Sequence, residues 1–195
     1  MINELYRPAQ HSSFEEVDTS LRQYVINLYV STLSYQKDLL SILNMGCGGN
    51  LWLENDLRRH FPKATIISAD INHSTAHSAI QNGHQPIVVT TDAHSPPFIN
   101  NSFDALILNG SVGEIAPDKS SIIGSLSRLS NLIIPGGKLF IHTVSAAHTH
   151  LYQKYQTGTD WIFAGLNELG VFNTINTLLT SEKYKLEMVI AEKNL

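Results

Sequence analysis

Short, nearly continuous apolar runs recur along the chain and are separated by longer amphipathic stretches. Such apolar runs are typical of strands that are covered by helices on both faces of a sheet. Their alternation with helical segments favours an α/β protein with a mostly parallel sheet. The sequence predicts five strands of this type, at residues 39–45, 65–70, 86–91, 103–108 and 138–141.

Segments with apolar residues at helical spacing lie between these strands. The first predicted helix covers residues 51–60 and stops before Pro62. Two more are predicted at about residues 74–81 and 122–133, and Pro135-Gly136-Gly137 breaks the latter before the fifth strand begins.

The N-terminal segment has the signature of a helix that precedes the first strand. Ser13-Phe14-Glu15-Glu16 reads as a capping box. Apolar residues follow at helical spacing, at Phe14, Val17, Leu21, Tyr24, Val25 and Leu28. We therefore expect residues 1–38 to form a helical cap and residues 39–195 to form the main domain of a single compact unit.

The last part of the chain has a different pattern. Residues 159–169 suit a helix, whereas residues 172–179 and 184–191 alternate between apolar and polar positions. A short polar turn at residues 180–183 joins these two alternating segments. They are predicted to pair as antiparallel strands at the edge of the sheet.

Composition narrows the classes of protein. With 43% hydrophobic and 15% charged residues, the chain of 195 residues is globular. Its net charge is −4, and no Lys/Arg cluster marks a nucleic-acid surface, so nucleic acid is not expected as a partner. Cys47 is the single cysteine and cannot form an intrachain disulfide. No signal peptide or membrane-spanning run is visible, so we expect a cytoplasmic protein without membrane association.

Candidate chemistry lies where the first two strands end. The first strand runs into Gly46-Cys47-Gly48-Gly49, and the second ends in Asp70. A glycine turn lets the backbone approach a ligand closely, because no Cβ atom intervenes. An acid at the tip of the second strand can accept charge-assisted hydrogen bonds from a ribose diol. This combination predicts a site for an adenosine-containing molecule.

Four segments, in order and spacing, resemble the class I S-adenosylmethionine-dependent methyltransferases of the small-molecule branch. Residues 44–49 resemble the first motif, usually D-x-G-C-G-x-G, and Asp70 resembles the ribose-binding acid. Asp92-Ala93, with the downstream residues 96–105, is similar to the pattern D-A-x-x-L-P-F-x-x-x-S-F-D. Residues 135–139 resemble the P-G-G-x-L turn. The implied fold is a doubly wound, Rossmann-like seven-stranded sheet with strand order 3-2-1-4-5-7-6.

The resemblance implies S-adenosylmethionine as cofactor and S-adenosylhomocysteine as product. Gly46 and Gly48 would turn backbone amides toward the methionine end of the cofactor. Asp70 would bind the ribose hydroxyls, and Asp92 would accept from the adenine amine. The full set of implied cofactor residues is Asn44, Gly46, Cys47, Gly48, Asp70, Ile71, Asp92, Ala93, Asn109, Gly110 and Ser111.

Two positions depart from the family pattern. Asn44 stands where the family usually has an acid, so a charge is missing there. Asn50 stands where a third glycine is common, and it can cap the helix that follows. Cys47 is expected to pack as a small apolar residue rather than to act as a nucleophile.

The chain has nine histidines, but their spacing matches no metal motif, so no metal is expected. His142 follows the predicted fifth strand near the expected mouth of the pocket. Its imidazole is a candidate to deprotonate or orient the methyl acceptor. A packed strand residue is an equally open interpretation.

The function predicted from these observations is methyl transfer from S-adenosylmethionine to an O- or N-nucleophile of a small molecule. Two alternatives remain open at the level of the sequence. One is a non-methylating enzyme on the same scaffold, such as a decarboxylase or cyclase. The other is a binding module that keeps the cofactor site without transfer activity.

Overall fold

The computed structural model describes most of the chain, in eight segments. They are residues 19–34, 39–47, 51–74, 77, 87–109, 119–144, 159–179 and 186–195. Four helices and seven strands occur within these segments. The helices are α1 (Thr19–Leu33), α2 (Trp52–His60), α3 (Lys119–Leu132) and α4 (Thr159–Leu169). The strands are β1 (Ser41–Met45), β2 (Thr65–Asp70), β3 (Ile87–Thr90), β4 (Phe103–Asn109), β5 (Ile133–Val144), β6 (Phe172–Leu179) and β7 (Leu186–Lys193).

The seven strands form one sheet in the order β3-β2-β1-β4-β5-β7-β6. The five strands β3, β2, β1, β4 and β5 pair in parallel with their neighbours. Strand β7 pairs antiparallel with both β5 and β6. Both the predicted strand order and the predicted antiparallel pair at the C-terminal end are confirmed. The helix predicted at about residues 74–81 lies largely outside the described residues.

Strand β5 is longer than predicted. It begins at Ile133 rather than Lys138, and it passes through the Pro-Gly-Gly sequence that was expected to separate a helix from a strand. Its pairing with β4 shifts register between Phe103 and Ala105, so the extra residues form an irregularity within the strand. A Cβ atom on Gly137 would lie 2.9 Å from the Asp104 carbonyl oxygen, so only glycine fits where the two strands come together.

Each face of the sheet packs against a pair of helices. On one face α1 and α2 cover side chains of the central strands, among them Ile42, Ile66, Ile107, Phe140 and Met188. On the other face α3 and α4 cover the alternate positions, among them Leu43, Leu106, Leu139 and Val189. These side chains lie on opposite faces because successive residues of a strand point to opposite sides.

The N-terminal helix belongs to the first of these two layers. Among its side chains described from residue 22 onward, Val25, Ile26, Tyr29 and Leu33 are buried. Tyr24, which the spacing placed on the buried face, is 47% exposed, so that part of the prediction is wrong. The capping box at residues 13–16 lies outside the described residues. None of the helices in the described part of the chain is long and apolar enough to cross a membrane.

Candidate functional site

The candidate residues meet at the carboxyl edge of the parallel strands. Asn44 of β1 is in register with Ser68 of β2 and with Ile107 of β4. On the other side of β4, Asn109 is in register with His142 of β5. Open α/β sheets place their ligands at this edge, at the point where the strand order reverses. Here that point lies between β1 and β4, because the order runs 3-2-1 on one side and 4-5 on the other.

The turn after β1 has the backbone that the glycines predicted. Gly46 has a φ of 75°, a conformation that favours glycine. Its N–H and that of Cys47 both donate to the Ala69 carbonyl oxygen, at 2.8 and 3.2 Å. Both donors are therefore used by β2, and any backbone amides that the glycine turn directs toward the cofactor are others. Gly48, like Asn50, lies outside the described residues.

The helix after the turn begins one residue later than expected. Leu51 occupies the position before α2 and has a φ of 50° with no side-chain cap. A left-handed conformation is uncommon for a branched apolar residue. The buried Leu51 side chain packs against Cys47, which provides the packing that maintains this conformation. The strained turn lies beside the expected cofactor site, as strained residues commonly do.

Cys47 is a buried thiol rather than a reactive one. Its side chain is 4% exposed. Burial raises the pKa of Cys47 well above its ordinary value, and the charges of Glu54 and Asp70 raise it further. The thiolate is the nucleophilic form, so Cys47 stays inert at neutral pH and packs as a small apolar residue.

Two candidate acids close local turns at their strand ends. The Oδ1 atom of Asp70, at the end of β2, accepts the backbone N–H of Asn72 at 2.9 Å. The Oδ1 atom of Asp92 accepts the backbone N–H of His94 at 2.8 Å. A carboxylate has about four acceptor sites, so a turn hydrogen bond does not use up either acid. Asp70 is half-buried and Asp92 is exposed.

The neighbours of these acids differ in exposure. Ile71 is 46% exposed, although it is a large apolar residue, and it lies directly after Asp70. Ala93 is buried beside the exposed Asp92. Gly110 and Ser111 lie outside the described residues, and Asn109 is described only by its place at the end of β4.

The structure adds a buried carboxyl group that sequence analysis missed. Glu54 on α2 is 1% exposed. Its Oε1 atom accepts from Asn44 Nδ2 and from Ser68 Oγ, both at 2.8 Å. Burial raises the pKa of Glu54. The acid absent at position 44 is thus matched by a carboxyl group from the next helix. The neutral residue at 44 was the one signal in the sequence that pointed to such a partner.

His142 lies within β5 and is fully buried. The prediction that it shares an edge with Asn109 is confirmed by the register of β4 and β5. The prediction that it lies just past the buried run is wrong, because β5 continues to Val144 and Tyr29 of α1 packs against the imidazole. Its Nε2 atom makes a short hydrogen bond with the Tyr29 hydroxyl of that helix. Desolvation lowers the pKa of His142 to about 3, so the imidazole is neutral.

Two histidines, one just before and one within the helix predicted at residues 74–81, form no metal site with the other described residues. His73 and His77 stack with ring centroids 6.3 Å apart, and His73 Nδ1 lies 3.2 Å from Thr90 Oγ1. No group of three His, Cys, Asp or Glu side chains among the described residues could hold an ion. His148 and His150 lie outside the described residues.

The described residues fit S-adenosylmethionine. A carboxylate ends β2 where a ribose diol needs acceptors, and a tight turn with a positive-φ glycine ends β1. Beneath that turn, Glu54 Oε2 and Asn44 Oδ1 are buried acceptors without a hydrogen-bond partner among the described residues. Buried polar atoms are rarely left unpaired, so the site has unfilled capacity for a ligand with hydrogen-bond donors.

Comparisons with known proteins agree with this geometry. No curated protein sequence matches the chain. A SAM-dependent methyltransferase from Methanosarcina mazei is 17% identical with a TM-score of 0.63, covering 85% of this chain and 97% of that one. The N-methyltransferase NodS from Bradyrhizobium japonicum is 13% identical with a TM-score of 0.70, covering 91% and 99%. The CurJ carbon methyltransferase is 15% identical with a TM-score of 0.69, covering 91% of this chain and 56% of that one.

These structural likenesses concern the fold, whereas the sequence itself identifies the family. The family model of the methyltransferase domain matches residues 43–141, slightly more than half of the chain. The match begins in β1 and ends in β5, so it contains the glycine turn, Asp70, Asp92 and the end of β4. The chain therefore belongs to the methyltransferase domain family and is a class I methyltransferase that uses S-adenosylmethionine.

Proposed function

We propose that this methyltransferase acts on a small molecule and transfers the methyl group to an oxygen or nitrogen atom. The observation that carries the proposal is the state of His142. This imidazole is fully buried at the carboxyl edge of the sheet, and its Nδ1 atom has no hydrogen-bond partner among the described residues. A polar atom that is buried in this way can be reached by a small molecule that enters the interior, but not by the surface of a polymer.

The polar group lies in an otherwise apolar environment. The Tyr29 ring lies 4.6 Å from the Phe140 ring and 5.4 Å from the His142 ring, measured between centroids. Met188, opposite His142 on β7, is also fully buried. A mostly apolar surface with a single convergent polar atom is the usual lining of a small-molecule site.

The acceptor is oriented rather than deprotonated by His142 in this proposal. An effective general base has a pKa near the working pH, whereas burial lowers the pKa of His142 to about 3. One nitrogen of a neutral imidazole is a donor and the other is an acceptor. Because Nε2 is engaged by Tyr29, either tautomer leaves Nδ1 with one hydrogen bond to offer to the acceptor.

Orienting the methyl acceptor can supply much of the catalysis in methyl transfer. When bound, S-adenosylmethionine supplies a methyl group that its positively charged sulfur already activates. The protein then has to align the nucleophile and exclude water, and alignment alone accounts for a large part of the rate. Asp70 would hold the ribose, and the edge formed by Asn109 and His142 would hold the acceptor.

Methyl-labelled S-adenosylmethionine tests the proposal. The protein is incubated with a cell extract that has been divided by ultrafiltration into small molecules and macromolecules. We expect label in the small-molecule fraction, and mass spectrometry of the product should place the methyl group on oxygen or nitrogen. Label confined to protein or nucleic acid, or a new carbon–carbon bond in the product, would overturn it.

A further inference from the structure

A small polar cluster is buried beneath the glycine turn. Asn44 on β1, Ser68 on β2 and Glu54 on α2 are 0%, 0% and 1% exposed. Asn44 Nδ2 and Ser68 Oγ both donate to the same carboxyl oxygen, Glu54 Oε1. The two strands and the helix are therefore connected through a single oxygen atom. The second carboxyl oxygen is left for another partner.

The cluster has two acceptors that no described residue satisfies. Glu54 Oε2 and Asn44 Oδ1 are buried, and neither has a hydrogen-bond partner within the described segments. A buried polar atom without a partner is costly, more so when it carries charge. One of these two acceptors is a carboxyl oxygen and the other is an amide oxygen. A positively charged group with several N–H donors would satisfy both. An ammonium group has three such donors and no acceptor.

The cluster also lies at the correct place for the cofactor. Asn44 and Ser68 are in register with each other and precede Gly46 and Asp70 by two residues on their strands. Cys47, in the turn itself, is influenced by the charges of both Glu54 and Asp70. The carboxyl group of Glu54 is thus close to the turn that the family resemblance assigns to the methionine end of the cofactor.

We propose that Glu54, together with Asn44, binds the α-ammonium group of the methionine part of S-adenosylmethionine. The proposal concerns the cofactor alone and does not depend on the identity of the acceptor. It assigns to a helix side chain the negative charge that position 44 lacks. The same ammonium group is present in S-adenosylhomocysteine but not in 5′-methylthioadenosine, which otherwise shares its adenosine and thioether.

The proposal predicts that cofactor binding depends on pH, because the carboxyl group of Glu54 is difficult to ionise when no ligand is bound. Burial raises its pKa, and the hydrogen bonds from Asn44 and Ser68, together with the Arg58 guanidinium on the same helix, offset that rise only in part. Tyr29 on α1 and Cys47 in the turn face it as neutral groups, because burial raises the pKa of both. An ammonium group beside Glu54 favours its ionised form, so binding releases a proton to the solvent whenever the free carboxyl is protonated.

Calorimetry of the unmodified protein tests this linkage. S-adenosylhomocysteine and 5′-methylthioadenosine are titrated between about pH 5 and pH 8, in buffers of different ionisation enthalpy. We expect proton release with S-adenosylhomocysteine, and an affinity that falls toward low pH by up to about tenfold per unit. Methylthioadenosine should show neither effect. Equal proton release with both ligands, or none with either, would overturn the proposal.

Glu54→Gln supplies the variant test, because glutamine keeps an oxygen for Asn44 and Ser68. We expect it to weaken S-adenosylhomocysteine binding at least about tenfold and to abolish proton release, with methylthioadenosine affinity within about twofold. Glu168→Gln, at an exposed position on α4, is the control and should bind both ligands as the unmodified protein does. Unchanged binding by Glu54→Gln would overturn the proposal. Tighter binding would also overturn it, because it would place the cofactor carboxylate, not the ammonium, beside this residue.

Discussion

The hydroxyl of Tyr29 is hydrogen-bonded to Nε2 of His142 in the interior of the protein, across 113 residues of sequence. This contact joins α1 to β5 on the face of the sheet that also carries Asn44 and Glu54. Both side chains are neutral there, because burial raises the pKa of Tyr29 and lowers that of His142. The N-terminal helix therefore determines the orientation of a side chain at the carboxyl edge of the sheet.

Replacement of Tyr29 by phenylalanine tests the importance of this contact. The ring and its packing on Phe140 remain, but His142 Nε2 loses its partner. We expect the free energy of unfolding to fall by about 1–3 kcal/mol, as for other buried groups left unsatisfied. Turnover should also fall, whereas the cofactor dissociation constant stays within about threefold. Urea denaturation measures the stability, a methyl-transfer assay measures the turnover, and titration calorimetry measures the dissociation constant.

Tyr24→Phe is the matched control on the same helix, since Tyr24 is 47% exposed. Its effect on stability should be within about 0.5 kcal/mol, as is usual for surface substitutions. Equal losses of unfolding free energy in both variants would mean that the hydrogen bond of the Tyr29 hydroxyl does not stabilise the protein. A loss of stability without any loss of turnover would limit Tyr29 to a structural role.

Substitution of His142 separates acceptor orientation from cofactor binding. His142→Phe retains an aromatic ring in the core but removes both nitrogens. We expect turnover to fall at least about tenfold while the cofactor dissociation constant changes by less than about threefold, a loss confined to the catalytic step. His142→Gln, which keeps a polar group, should retain more turnover. Normal methylation by His142→Phe would make His142 a packing residue.

The stability of the protein should decrease in mild acid because of His142. Its pKa is about 3 in the folded protein against 6.5 for an ordinary histidine. Between these values the unfolded chain binds a proton that the folded chain does not, so stability is lost as the pH falls. From pH 7 to pH 5 this contribution amounts to about 2 kcal/mol. Urea denaturation at both pH values should show that the wild type loses about 2 kcal/mol more unfolding free energy than His142→Gln does. Equal losses in the two proteins would show that the imidazole is protonated as readily in the folded protein as in the unfolded chain.

The two strand-end acids should differ in importance. Asp70 is half-buried at the end of β2, whereas Asp92 is exposed in a loop. Losing a charged hydrogen bond to a partly buried diol costs roughly ten- to hundredfold in affinity. We expect Asp70→Ala to weaken S-adenosylhomocysteine binding by that amount and Asp92→Ala to weaken it less, as measured by calorimetry. Small and equal losses would mean that both carboxylates serve only their turns.

The strand pattern was readable from the sequence because it is local. Strand β2 and helix α4 have the predicted bounds, and apolar runs identified the other parallel strands to within a few residues. Strand β5 was cut short because Pro135 and Gly136 are ordinary strand breakers. The pairing with β4 and β7 resumes beyond them, and sequence spacing alone does not reveal that pairing.

The site was readable in part for the same reason. Motifs such as the glycine turn and Asp70 are contiguous in sequence and predict their own geometry. Glu54 was missed because a charged residue in an amphipathic helix is ordinarily assigned to the solvent face. Its burial arises only when α2 packs on β1 and β2, where Asn44 and Ser68 meet its carboxyl group.

The sequence by itself determined the order of the elements, the family and the cofactor, since each depends on local periodicity and on short motifs. Only the tertiary structure decided the environment of the individual side chains. It placed His142 within the buried part of β5, against Tyr29, and it committed the Gly46 amide to Ala69. The physical reason is that burial, hydrogen bonding and pKa depend on neighbours that are distant in sequence, and these neighbours are in place only once the chain has folded.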